Sequence, residues 1–382
     1  MSRYIFKNLD IDCFSFEYNI ETDELTNIEK HVGLALILPL LGKFDERSIR
    51  KYLFHTRFLA ESRADFSGQF LDDRDIFRIY LKNYGLNLED NFWLVSDQEK
   101  SLNWLNINHF DHFTNDLVKI YDKGSMSLEE LETKKSPDYF TRGNLPKTWI
   151  QDGEGIFLLK TSSKFEDKIE LYEVYAEYFA SKIAKLLSLN CLDYEIIEHE
   201  TKMVNKCKLF TSKKLSYLPF ANLYHGDKSS KENMQKFVTK FFSKQYFEDL
   251  MVFDSVILNN DRHLGNFGIL VDSRTRRIVD NAPIYDNGRS LIFDFKYYKS
   301  SIGRQNIADY SMRSTKFYKS FDKQLYDNLC PRHAMWVKLL EKFKLKNHPE
   351  HPAPSSYFNS VKKIIKTQVQ KMKEILKEKY NI

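Results

Sequence analysis

The sequence predicts an α+β fold, and three observations carry that prediction. Short apolar runs bounded by turn residues, such as Ile156-Phe157-Leu158-Leu159 and Phe267-Gly268-Ile269-Leu270-Val271, read as strands. Longer apolar stripes at helical spacing dominate the second half of the chain. A first region has aromatic and apolar content of its own. The expected divisions are an accessory region over 1–130, a small β-containing unit over 131–215 and a mainly helical unit over 216–382.

In the first region, Ile49, Tyr52, Leu53, Phe58 and Leu59, then Ile76, Phe77, Ile79, Tyr80 and Leu81, predict helices that pack together. Asn91-Phe92-Trp93-Leu94-Val95 predicts a strand, and Trp104, Phe110 and Phe113 add aromatic mass. No catalytic constellation occurs here, so the region reads as a packing or partner-recognition module. Arg47, Arg50, Lys51, Arg57 and Arg63 compose a basic helical face expected to be solvated. Residues 126–138, rich in Ser, Glu and Lys, mark the next boundary.

Gly153 and Gly155, set in Gln151-Asp152-Gly153-Glu154-Gly155, predict a hairpin turn. Tyr172, Tyr175, Ala176, Phe179, Ala180, Ile183 and Leu187 predict a helix over 168–188 that carries Glu170, Glu173 and Glu177. A core helix is expected over 233–258, from Phe237 and Phe241 through Phe247, Leu250, Met251, Phe253, Val256 and Ile257. Within it, Asp254 stands among apolar neighbours, either as a brace for the loop that follows or on a solvated stripe. A hairpin over 267–279 comes next. Near the end, His348 and His351 have a metal-ligand spacing but lie among prolines and read as exposed loop residues. Ser355-Ser356 then cap a final helix striped by Val361, Ile364, Ile365, Val369, Met372, Ile375 and Leu376.

Composition narrows the class. With 382 residues, 42% hydrophobic and 15% aromatic, the chain is neither disordered nor too small for a sizeable core. The formal charge of +5, from 58 basic and 53 acidic residues, does not establish nucleic-acid binding. Cys13, Cys191, Cys207 and Cys330 form no Cys-x-x-Cys pair and suit a reducing cytoplasm without structural zinc. The longest apolar run, 32–41, is too short to span a bilayer and contains Pro39. The start of the sequence does not resemble a signal peptide, so a cytoplasmic location is expected.

Chemistry concentrates after the core helix. Asn260-Asp261-Arg262-His263-Leu264-Gly265-Asn266, followed by Ile284-Tyr285-Asp286-Asn287-Gly288, offers a carboxylate to orient an attacking hydroxyl, then an amide oxygen and a second carboxylate suited to Mg²⁺. The five-residue offset from Asp261 to Asn266 matches the spacing between base and metal-binding Asn in protein-kinase catalytic loops. His263 is a secondary base candidate. Lys160, at the end of its apolar strand, is a candidate for contact with phosphates, and Glu177 for pairing with it, with Glu170 and Glu173 as rivals. Gly288 is expected to supply backbone freedom beyond Asp286.

The combination of Gly143-Asn144-Leu145-Pro146-Lys147-Thr148, Leu158-Leu159-Lys160, Ala176-Glu177-Tyr178, Asn260-Asp261-Arg262-His263-x-x-Asn266 and Ala282-Pro283-Ile284-Tyr285-Asp286-Asn287-Gly288 resembles the HipA-like serine/threonine kinases over roughly residues 135–300. The resemblance implies a bilobal protein-kinase-like fold, with a small β-containing lobe and a mainly helical one, that moves the γ-phosphate of ATP to Ser or Thr of a protein. On it, Asp261 is the catalytic carboxylate, Asn266 and Asp286 hold Mg²⁺, and Lys160 meets the phosphates and pairs with Glu177. Gly143, Lys147 and Thr148 belong to a phosphate-covering loop. Lys208-Leu209-Phe210-Thr211 becomes the hinge, with Phe210 and Thr211 beside adenine.

The same resemblance makes Thr141 or Ser136 a site of regulatory autophosphorylation and raises an antitoxin-like or other regulatory protein partner, although 1–130 offers no match to carry that over. Nucleic acid enters only indirectly if at all, and no membrane is implied. The chain departs from glycine-dense phosphate cradles, having neither Gly-x-Gly-x-x-Gly nor a Walker A sequence. Two alternatives stay open: a phosphatidylinositol-type lipid kinase, which shares Asp-Arg-His-x-x-Asn, and an inactive kinase-fold regulatory binding protein.

Overall fold

The opening thirty residues form an antiparallel meander that a helical reading of this region does not foresee. Its strands are Ser2–Asn8, Ile11–Asn19 and Glu24–Lys30, and Phe92–Ser96 pairs with the free side of the first. The strand at 92–96 was expected; the other three were not. For the first two the reason is burial on both faces: Tyr4, Ile5 and Phe6 are all buried, as are Cys13, Phe14, Ser15 and Phe16, so the alternation that announces a half-buried strand is missing.

The computed structural model describes residues 1–58, 71–118, 128–141, 145–165, 169–295 and 304–382. They divide into two compact units: Met1–Lys160 with Lys208–His225 and Gly268–Ala282, and Thr161–Cys207 with Gly226–Phe267 and Pro283–Ile382. The architecture is mixed α and β, as the sequence predicts.

In the first unit, rings hold the meander to its helices. Tyr18 lies 4.3 Å from Phe77 of helix Asp73–Asn83, and Phe6 stacks between Phe14 and Phe92. The expected basic face is only partly solvated: Arg47 and Lys51 are exposed, but acidic partners draw Arg50 and Arg57 inward. Arg57, 3% exposed, donates to both Asp90 oxygens and to the carbonyls of Gly85 and Phe92, while Arg50 bridges Asp23 and Asp73. Arg63 lies outside the described residues. The turn at Gly153-Glu154 joins strands Lys147–Asp152 and Gly155–Lys160, with Gly155 at φ 136°, where a side chain would be strained. Strands Leu215–Pro219, Gly268–Asp272 and Ile278–Asn281 make a separate sheet that contains the hairpin expected over 267–279.

The second unit is mainly helical. The helix expected over 168–188 is shorter, Glu173–Leu186, and Glu170 instead sits in the two-residue strand Ile169–Glu170, which removes it as a rival on that helix. The single helix expected over 233–258 is two, Lys231–Phe241 and Lys244–Ile257. Phe242 turns extended, and the Ser243 hydroxyl accepts the N–H of Tyr246, capping the second helix at its start.

The last helix, Ser355–Tyr380, buries Val361, Ile364, Ile365, Val369, Met372 and Leu376 as expected, but it starts after Pro354 with no side-chain cap. His348 is buried, contrary to expectation: its ring lies 5.0 Å from Tyr178 and its Nδ1 accepts the N–H of His351. Among the described residues, no three His, Cys, Asp or Glu side chains are grouped to hold a metal, and no helix is long and apolar enough to cross a membrane.

Candidate active site

Helix Lys244–Ile257 carries the motif at its end and stops through backbone geometry. Leu258, fully buried, adopts φ 54°, and its N–H returns to the Asp254 carbonyl. A left-handed leucine costs on the order of 1 kcal/mol and persists only where its surroundings fix it. Asn259 helps do so, donating to Asp254 Oδ1 at 3.2 Å while its own Oδ1 accepts the N–H of Asp261 at 3.2 Å.

Beyond this point a short turn closes on itself. The His263 N–H reaches the Asp261 carbonyl at 2.8 Å, the Asn266 N–H reaches the His263 carbonyl at 2.9 Å, and Asn266 Nδ2 donates to the Asp261 carbonyl at 2.9 Å. The amide nitrogen of Asn266 is thereby committed, which leaves Oδ1 as the group it presents. The His263 ring is exposed, and its Nδ1 accepts the N–H of Gly265 at 3.0 Å. A Cβ at Gly265 would come within 2.8 Å of that ring, so a side chain there would displace the imidazole from its bond to the Gly265 N–H.

Arg262 joins this turn to the second motif. Buried to 4% exposure, it donates through Nε and Nη2 to the two oxygens of Asp254 at 3.0 and 3.1 Å. Nη1 donates to the carbonyls of Asn266 and Tyr285, both at 2.8 Å, and Nη2 also donates to Asn287 Oδ1. All five guanidinium hydrogens are thus used, on three separate segments. The local sequence assigns Arg262 no role beyond its place after Asp261. The signal was present: a carboxylate buried on an apolar helix needs a cation, and Arg262 lies eight positions later. Of the two readings of Asp254, the brace is the one observed.

The second motif is held from its other side by helix Glu173–Leu186. Glu177 Oε1 accepts the N–H of Asn287 at 2.6 Å, and the segment is registered by Ile284, which bridges in parallel to Cys191. Asp286 itself adopts φ 59°. The freedom expected of Gly288 is not used as backbone torsion. What matters there is its missing side chain, because a Cβ would lie 3.2 Å from both Glu173 Cβ and Glu177 Oε2. Glu173 is buried as well, with one oxygen accepting from Ser163 Oγ and the other without a hydrogen-bond partner. Burial pushes its carboxyl above the usual range.

Asp261 is half-buried, 3.8 Å from Arg289 Nε. Burial raises its pKa and the Asp286 charge adds to the rise, against the opposing pull of His263, Arg289 and Arg262. Within the second unit, the Asp261–Asn266 turn, the Tyr285–Asn287 segment and Glu177 therefore belong to one hydrogen-bonded assembly centred on Arg262.

The other candidates lie in the first unit. Lys147 and Lys160 face each other across paired strands, and both are buried. Lys147 and Thr148 open a strand and are not part of a loop; Thr148 Oγ1 donates to Asp138 Oδ2 at 2.7 Å. Phe210 packs edge-on to Tyr217, and Thr211 Oγ1 donates to the Leu88 carbonyl. Gly143 lies outside the described residues. Ser136 and Thr141 are buried and engaged: Ser136 Oγ donates to Asn115 Oδ1, and Thr141 Oγ1 donates to the Pro137 carbonyl and accepts from Trp149 Nε1. As folded, neither hydroxyl is presented for phosphorylation.

No protein-family model matches the chain. Over 131 residues it is 30% identical to the serine/threonine-protein kinase CtkA of Helicobacter pylori strain J99, a stretch that is 31% of this chain and 40% of that protein. The match thus spans two-fifths of the curated relative's length. A crystal structure of the proinflammatory kinase CtkA from H. pylori superposes with a TM-score of 0.47 at 18% identity, covering 60% of this chain and 92% of that one. The HipA–HipB toxin–antitoxin complex with operator DNA from Shewanella oneidensis MR-1 gives 0.41 at 11%, covering 97% of each chain.

Proposed function

We propose that the chain is an ATP-dependent kinase that transfers the γ-phosphate to a Ser or Thr hydroxyl of a protein, with Mg²⁺ as its metal. The observation that carries this reading is the Arg262 junction, which fixes the Asp261–Asn266 turn and the Tyr285–Asn287 segment as one assembly. A base and two metal-directed oxygens have to be held in such a relation for in-line phosphoryl transfer.

In this reading Asp261 orients the acceptor hydroxyl and takes its proton at a carboxylate oxygen. Its raised pKa makes it a stronger base than an exposed aspartate, while Arg289 limits the rise. The donor set offered for metal is the amide oxygen of Asn266 and the carboxylate of Asp286, hard oxygens with no thiol or imidazole among them, and it fits Mg²⁺. When bound, the ion would neutralise charge on the phosphates. Lys160, with Lys147 across the strand pair, supplies cationic charge for the nucleotide tail, and Phe210 and Thr211 the adenine side. Glu177 positions the Asp286 segment through the Asn287 N–H.

The test supplies radiolabelled ATP and Mg²⁺ with a protein extract and, separately, with inositol-lipid vesicles. Label on Ser or Thr, lost in Asp261→Asn, is the expected result. Label confined to lipid headgroups would make the chain a lipid kinase, and nucleotide binding without transfer to either would make it a kinase-fold binding protein.

A further inference from the structure

Charge is distributed unevenly along this chain. Residues 334–382 hold eleven lysines and four glutamates, a net +7, whereas the whole chain is +5, so residues 1–333 carry −2. That basic segment folds in the second unit as helix Ala334–Lys342, an extended stretch after it, and helix Ser355–Tyr380.

Between these elements runs a groove of about 1230 Å³, larger than the roughly 300–1,000 Å³ of small-molecule pockets. Leu340, Phe343, Ile365 and Val369 line it with apolar surface, and Lys344 and Lys366 stand on its walls, both exposed. Its two glutamates are already engaged, Glu341 by Lys373 at 2.8 Å and Glu374 by Gln370 at 2.9 Å, and Lys371 is held by Asp322 at 2.7 Å. Among the described residues, Lys344 and Lys366 have no acidic partner.

We propose that this groove receives an acidic amphipathic helix of a partner protein. The helix lays apolar side chains at i, i+3, i+4 and i+7 on the floor and sets carboxylates against Lys344 and Lys366. A nucleic acid would satisfy the lysines but offers no apolar face for the floor. A bilayer needs a projecting apolar surface, whereas this one is recessed. Apolar and acidic groups on one narrow ligand are what the lining complements.

The experiment measures anisotropy of a fluorescein-labelled peptide with leucine at helical i, i+3, i+4 and i+7 positions and glutamate elsewhere, titrated with the full chain. The comparison probes have alanine for leucine, lysine for glutamate, a DNA duplex, and vesicles of anionic phospholipid. The leucine–glutamate peptide is expected to bind about tenfold or more tighter than the others, a gap of about 1.4 kcal/mol. Lys344→Glu with Lys366→Glu should abolish the preference, with phosphotransfer and melting temperature unchanged. Lys344→Gln with Lys366→Gln should weaken it in the same direction and serves if the reversed pair folds poorly. The proposal is overturned if the alanine peptide, DNA or vesicles bind as well, or if the lysine variants bind like wild type. It also fails if sedimentation shows wild type to be a dimer that these variants dissociate and the peptide does not, for then a second copy fills the groove.

Discussion

Asp254 and Arg262 meet side-on, two nitrogens against two oxygens at 3.0 and 3.1 Å, with both side chains under 5% exposed. The guanidinium is the common point of both motifs. Removing one member leaves the other charge buried, so Arg262→Met should destabilise by roughly 3–5 kcal/mol in urea denaturation. Asp254→Asn keeps a hydrogen-bonding shape and should cost less in stability while still lowering turnover. A variant of either residue with wild-type stability and activity would remove the junction from the argument.

Asp261 and Asp286 should separate by readout. Asp261→Asn keeps the turn, whose hydrogen bonds run through the backbone and Asn266, and should lower turnover by orders of magnitude with Mg·ATP binding largely intact. Asp286→Asn should weaken nucleotide binding when Mg²⁺ is present and change it little without metal. Calorimetry with and without Mg²⁺, beside steady-state rates, tells the two apart.

Asp261, Asn266 and Asp286 stand out in the sequence as candidates because they are polar residues at fixed offsets beside strongly patterned apolar segments. What holds them was not legible. Arg262 reads locally as a loop arginine, and its five bonds span contacts from Asp254 to Asn287 that no local window contains. The same limit explains Glu177: its place on the helix was clear, its bond to the Asn287 N–H was not. Elsewhere, periodicity failed where both faces were covered, as in the strand holding Cys13 to Phe16, and where a cap interrupted a continuous stripe, as at Ser243.

Acid stability should depend on His109 in the first unit. It is buried with neither ring nitrogen hydrogen-bonded, and desolvation, aided by Lys135, lowers its pKa to about 4. The folded chain then binds the proton less readily than the unfolded one, whose histidine titrates near 6.5. Stability from this group is whole above pH 6.5 and falls as pH drops toward 4, by on the order of 3 kcal/mol. His109→Phe should flatten that part of the stability profile, measured by urea denaturation from pH 7 to pH 4; an unchanged slope would show that another group causes it.

Glu173 should act in the opposite direction. Its carboxyl is raised by burial, so the folded state holds the proton more tightly, and stability declines as pH rises from the ordinary carboxylate range through the folded pKa. Glu173→Gln removes the buried charge at nearly constant shape and should raise stability at pH 7, with the gain vanishing at pH 3, as urea denaturation at the two pH values would show. A loss of stability at pH 7 would mean the ionised carboxylate is stabilising.

Gly288→Ala isolates the packing between the helix that carries Glu177 and the Asp286 segment. The added methyl would lie 3.2 Å from Glu173 Cβ and from Glu177 Oε2, tighter than ordinary contact, so one side must give by a few tenths of an ångström. Because Glu177 holds the Asn287 N–H at 2.6 Å, the shift passes directly to Asp286. Stability should fall by only about 1 kcal/mol, the usual size of mild overpacking. Turnover should fall further, by about tenfold or more, because displaced reacting groups cost rate steeply. Adding Glu177→Gln to the alanine variant should not cost the full second penalty, since both changes act on the same contact. Strictly additive losses in kcat across this cycle would show that Gly288 and Glu177 act independently and that the helix does not position Asp286.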